Sequence, residues 1–255
     1  NPDKVLDDNS FYLVGEVYNY GISGGQYFDF GDKKVNYFDP EAFQSLINFE
    51  FKWNAKQMTK KALFHKYDSI LQNQLKKYGT LNYLTSHDDG DPFDGKREKT
   101  FEAANLLLLS PGESQVYYGD ETARPLEIEG AVGDANLRSF MNWDELKTSD
   151  SIQKILNHYQ KLGQFRAKHP AVGAGKHRLI SEQPLIFTRT FERKAFTDKV
   201  MIGMDLKESE LEIDISEIFS ESETIVDFYS GEKYQNKDGK VIIKPINGLF
   251  LLESE

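Results

Sequence analysis

Two short segments constrain this chain more than any other feature: Gly15-Glu16-Val17-Tyr18, and Leu84-Thr85-Ser86-His87-Asp88-Asp89. Each places a carboxyl group at the end of an apolar run. Phe11 to Val14 reads as a short buried strand and Thr80 to Leu84 as another. Both are followed by chain long enough to return through a helix, so their last residues are expected at one face of a parallel sheet, where active sites of barrel and open α/β folds lie. Glu16 and Asp88 are therefore expected to face a common pocket.

Acidic residues make up 41 of 255, so an acid at a strand end is more often a cap or a solvated group than a functional one. Order and company change that weighting. The chain runs strand, Gly-Glu-Val-aromatic, some seventy residues, strand, Ser-His-Asp. It then continues through residues 107–121 (Leu-Leu-Leu-Ser-Pro-Gly-Glu-Ser-Gln-Val-Tyr-Tyr-Gly-Asp-Glu) and Met141-Asn-Trp-Asp144. This succession resembles the carboxyl-terminal half of glycoside hydrolase family 13, the α-amylase family, from about Phe11 to the end.

The resemblance implies that Glu16 is the general acid/base, that Asp88 stabilises the transition state, and that His87 hydrogen-bonds substrate hydroxyls. These roles suit the chemistry, since glycoside hydrolysis uses one carboxyl to protonate the leaving oxygen and others to support positive charge at the anomeric carbon. An acid flanked by Val14, Val17 and Tyr18 is expected to be partly desolvated, which keeps its proton available. Tyr18, Asp89, Asp91 and Phe93 are expected to shape substrate subsites. Asp120 and Glu121 match a family motif but read as structural.

The chain departs from the family pattern twice. Ser86 stands where an Asn usually precedes the His-Asp pair. The family's nucleophile is an Asp on the preceding barrel strand, and the polar stretch Asn1 to Ser10, with Asp3, Asp7 and Asp8, does not read as that strand. A fragment is therefore expected, inactive alone, whose parent is an α-glucan-acting retaining glycosidase. Alternatives are a transglycosidase or disaccharide isomerase of the family, or a noncatalytic glucan-binding protein of the same fold.

The rhythm along the chain predicts α/β followed by all-β. Strands are expected at Ser45 to Phe51, Thr80 to Leu84 and Gln115 to Tyr118. Helices are expected at Met58 to Tyr78 with Gly79 as the stop, at Phe101 to Leu109, and around Ile152 to Leu162 closed by Pro170. With the first strand, this gives the C-terminal half of a (β/α)8 TIM barrel over residues 1–172. From 173 to 255 short strands predict an antiparallel β-sandwich: Leu185 to Phe191, Lys199 to Asp205, Glu210 to Ile215, Thr224 to Tyr229, Lys240 to Lys244 and Gly248 to Leu252, with a hairpin turn at Asn236 to Gly239. Residues 19–39 are expected to form a long Gly- and aromatic-rich loop.

A net charge of −10 disfavours nucleic acid, and no apolar run approaches the ~20 residues of a membrane helix. A neutral α-glucan or maltooligosaccharide fits better as partner, and a half barrel is expected to self-associate. The absence of cysteine excludes disulfides and thiolate metal sites. Residues 88–91, Asp-Asp-Gly-Asp, lack the spacing of a calcium loop, so no metal or cofactor is expected here, calcium being assigned if anywhere to the missing part. The compartment is not fixed by the chain; an extracytoplasmic setting, secreted or periplasmic, is expected over a cytoplasmic one.

Overall fold

The computed structural model describes residues 12–39, 42–219 and 224–255. Phe11, the polar segment 1–10 and its three aspartates lie outside them. Strand β1 (Val14–Gly15) is followed by a 3-10 turn at Ile22–Gly24, a hairpin of β2 (Tyr27–Asp29) and β3 (Lys34–Asn36), and β4 (Ser45–Asn48). Then come α1 (Glu50–Gln57), α2 (Lys60–Asn73), β5 (Gly79–Asn82), α3 (Thr100–Leu108) and β6 (Glu113–Ser114). Helices α4 (Trp143–Thr148), α5 (Asp150–Lys168) and α6 (Pro170–Ala174) complete this part.

The four strands β1, β4, β5 and β6 pair in that order, all parallel, with Val14 opposite Ser45, Leu46 opposite Thr80 and Leu81 opposite Glu113. Because every crossover returns to the same edge of the pleat, the carboxyl ends of all four strands open on one side. Leu46, Phe51, Leu63, Phe64, Tyr67, Ala104, Leu107, Leu162 and Phe165 are buried in one cluster between the sheet and its helices.

Several boundaries differ from those the sequence predicts. The strand expected to reach Phe51 stops at Asn48, and Glu50 opens α1 instead. Its carboxylate at the helix start takes Ser23 N, Ser23 Oγ and Asn54 Nδ2, which outweighs an extended continuation. The helix expected over Met58 to Tyr78 is shorter, because Thr59 caps α2 through Oγ1 to Ala62 N at 3.3 Å and the helix ends at Asn73. Gly79 is no stop; it begins β5, and a side chain there would strike the Glu113 carboxylate. The strand expected at Gln115 to Tyr118 is displaced to Glu113–Ser114. The Tyr117 and Tyr118 hydroxyls instead hold the following loop through Leu137 O and Ser139 O, each at 2.8 Å. Pro170 does not close α5 but opens α6, where its missing N–H costs nothing. The long loop 19–39 is partly ordered: Tyr20 is buried and its hydroxyl reaches Gly25 O at 2.7 Å.

Beyond α6 the chain is antiparallel: β7 (Lys176–Ser181), β8 (Leu185–Arg193), β9 (Phe196–Met204), β10 (Leu211–Asp214), a short α7 (Ser216–Phe219), β11 (Thr224–Asp227), β12 (Lys233–Gln235), β13 (Lys240–Ile243) and β14 (Phe250–Ser254). Six of these strands form one sheet in the order β12-β11-β14-β9-β8-β7, and β10 pairs with β13 in a second. Alternation explains how both faces are used. Ile186, Met201, Phe250 and Leu252 meet Ile213, Val241 and Ile243 of the small sheet, while Leu185, Phe187, Val200, Ile202 and Leu251 join the cluster under the parallel sheet. The expected turn is present, with Asp238 at φ 54° and Gly239 at φ 80°, the left-handed pair that a two-residue hairpin requires. Helix α6 crosses the expected division after Val172.

Candidate active site

The mouth of the parallel sheet is built from residues just beyond β1, β4 and β5. Glu16 follows β1 directly and is exposed, so the desolvation expected from its apolar neighbours is not supplied by them. Tyr18, 73% exposed, sets its ring edge-on to Phe49 at 5.5 Å, and Phe49 meets Tyr83 in the same way at 5.8 Å. These three rings bridge the ends of β1, β4 and β5.

Tyr83 ties the end of β5 to the acidic segment that follows it. It is buried, and its hydroxyl donates to Asp89 Oδ2 at 3.0 Å. Burial first, then the Asp89 carboxylate, then Asp88 and Glu16, push its phenol well above the ordinary range. Of these carboxylates Asp89 alone bonds the hydroxyl, and Asp88 and Glu16 add smaller contributions of the same sign.

Asp88 is exposed and accepts from Ser86 Oγ at 3.1 Å, so the serine in the place of the usual asparagine supplies a direct donor. His87 is exposed too; its Nε2 stands 3.6 Å from Asp88 Oδ2, while its backbone carbonyl accepts from Arg138 Nε at 2.8 Å. Asp89 is held by Lys52 and Tyr83. Asp91 accepts from Lys56 Nζ at 2.8 Å, which lowers its carboxyl below the usual range. Phe93 is half-buried against the main core, with its N–H on Leu84 O at 2.9 Å.

Sequence reasoning missed Lys52, Trp53, Phe49, Tyr83 and Arg138. An alternating stretch, Phe49-Glu-Phe-Lys-Trp53, carries the first three, and it reads as strand until Glu50 is seen to start a helix. Asp120 is buried, with Arg97 Nη1 at 2.8 Å; burial raises its carboxyl and the guanidinium opposes that. Glu121 accepts from Gly119 N at 2.9 Å. Both contacts are internal ties. Among the described residues no group of three or more His, Cys, Asp or Glu could hold a metal ion.

The chain is 36% identical over 193 residues to the periplasmic alpha-amylase of Escherichia coli, a match covering 74% of this chain and 26% of that protein. It is 26% identical over 209 residues to alpha-amylase 3 of Dictyoglomus thermophilum, covering 68% of this chain and 38% of that one. Among solved structures, AmyP in complex with maltose superposes with a TM-score of 0.59 at 18% identity, over 94% of this chain and 55% of that one. No family model matches. The four-stranded parallel sheet and the antiparallel sheets after it share the fold of part of such α-amylase structures. The chain belongs to the α-amylase family, and it spans well under half the length of the curated relatives it matches.

Proposed function

We propose that this chain forms the acid/base and charge-stabilising side of the cleft of an α-glucan-acting glycoside hydrolase that works with retention. The observation that carries the reading is the placement of Glu16 directly after β1 and of Asp88 a few residues after β5, at the carboxyl ends of parallel strands, with the neighbouring Asp89 bonded to the buried Tyr83 hydroxyl. Glu16, in reach of solvent and substrate, protonates the glycosidic oxygen and later deprotonates the incoming water. Asp88, kept in place by Ser86, supports the oxocarbenium-like charge. His87 presents its ring to sugar hydroxyls, and Tyr18 offers an exposed face for stacking on the sugar ring.

Retention requires a nucleophilic carboxylate about 5 to 5.5 Å from the acid. The reading assigns it to a barrel strand beyond the four described here, in a parent enzyme that carries this chain. Names of the relatives support the substrate class, since AmyP is described with maltose bound, and a periplasmic relative supports an extracytoplasmic setting.

The test is turnover of maltooligosaccharide by the parent. Glu16→Gln and Asp88→Asn are each expected to lower kcat by about a thousandfold, the scale of lost general acid catalysis or of a lost charge stabiliser, with the fold intact by circular dichroism. Retention of more than a tenth of the rate in either variant would remove that residue from its role.

A further inference from the structure

Lys52 has no solvent-exposed side-chain surface, although it sits in the first turn of α1 at the edge of an open cleft. A buried ammonium is costly unless it is paired, so its position is explained by what the charge touches. It touches two groups: Asp89 Oδ1, and the face of Trp53, whose ring centroid lies 4.2 Å from Nζ. The second Asp89 oxygen is taken by Tyr83. One helical turn further, Lys56 bonds Asp91 Oδ1 and lies 5.1 Å from the same Trp53 ring. Asp91 N–H in turn donates to Asp89 Oδ1 at 3.4 Å.

Two rungs from one helix thus fix alternate residues of the segment that begins with Asp88, and the Lys52 end of the inner rung is shut off from solvent. We propose that Lys52 is a positioning residue of the glucan site: by holding Asp89 it fixes the peptide that carries Asp88 where charge develops on the sugar. The proposal rests on the role given to Asp88 above. A tie serving stability alone would leave the kinetics of the folded enzyme untouched. A positioning tie is felt in kcat with KM nearly unchanged, because the Asp88 charge counts most at the transition state.

The experiment has two readouts. In the 255-residue chain with Trp143→Phe, Trp53 is the remaining tryptophan, and Lys52→Met is expected to shift its emission, reporting the rung without any ligand. In the parent enzyme Lys52→Met is expected to lower kcat on maltotriose by about tenfold or more, as misplaced groups do, with KM within about twofold, while Lys52→Arg recovers most of the loss. A kcat within about twofold of the unsubstituted enzyme, or a loss carried in KM, overturns the proposal. Where Lys52→Met fails to fold, Asp89→Asn decides on the same criterion, since it keeps the shape and removes the charge that Lys52 grips. An unsubstituted parent that neither binds nor cleaves maltotriose sinks the glucan reading and this proposal with it, and the Trp53 emission shift tells that result apart from a missing rung.

Discussion

Two donors of different kinds meet on Asp89, the Lys52 ammonium and the Tyr83 hydroxyl, and neither residue suggests the contact from its place in the sequence. At the scale of single residues, other buried cations also have bonded partners. Arg189 is wholly buried and donates to Leu109 O at 2.7 Å, and Arg166 donates to Leu108 O and Ser110 O, each at 2.9 Å. His158 is the contrary case, a base kept neutral. It lies stacked on Phe101 with Nδ1 against the Tyr229 hydroxyl at 2.7 Å, and burial drives its pKa down to about 4. The unfolded chain binds that proton near pH 6.5 and the folded one does not, so the stability contributed by neutral His158 is complete above about 6.5 and is lost as pH falls toward 4. This loss amounts to about 3 kcal/mol at most. Urea unfolding at pH 7 and pH 4.5 is expected to show a smaller acid loss for His158→Gln than for the unsubstituted chain; parallel losses would place the acid sensitivity elsewhere.

At the scale of elements, legibility follows burial on both sides. Apart from the buried Asn82, Thr80 to Leu84 is mostly apolar because β5 sits between two neighbours, and Leu185 to Phe191 reads clearly because β8 has apolar partners on each face. The edge strands were invisible: Lys176-His-Arg-Leu-Ile-Ser181 and Lys233-Tyr-Gln235 carry the charges that keep a sheet border from pairing further, and charge hides the alternation. Helix α1 was missed since Glu50-Phe-Lys-Trp53 alternates like a strand, and its register is decided by what Glu50 binds at Ser23, twenty-seven residues away. The candidate site divides the same way. Glu16, His87 and Asp88 could be proposed from their neighbours in sequence. Lys52 and Tyr83 could not, because their importance lies in contacts across strands.

At the scale of the whole molecule, the parallel sheet ends at two open borders. Among the described residues β1 pairs with β4 alone and β6 with β5 alone, and Phe140 (98% exposed) and Val132 (86%) leave further apolar surface uncovered. Unpaired strand edges and apolar patches of this kind recruit partners. The purified 255-residue chain is therefore expected to self-associate, with its mass by light scattering rising with concentration. A single monomeric species that binds no apolar dye across the same range would show that these borders are closed by some other means.

Varying the group that leaves shows whether Glu16 delivers the proton to the leaving oxygen. A 4-nitrophenolate leaves without protonation, whereas the glucosyl oxygen of maltotriose does not. In the parent enzyme, Glu16→Gln is expected to lose about a thousandfold in kcat/KM on maltotriose but far less on a 4-nitrophenyl α-maltoside, because general acid catalysis is needed only by the poor leaving group. Equal losses on the two substrates would contradict the assignment of Glu16 as the acid.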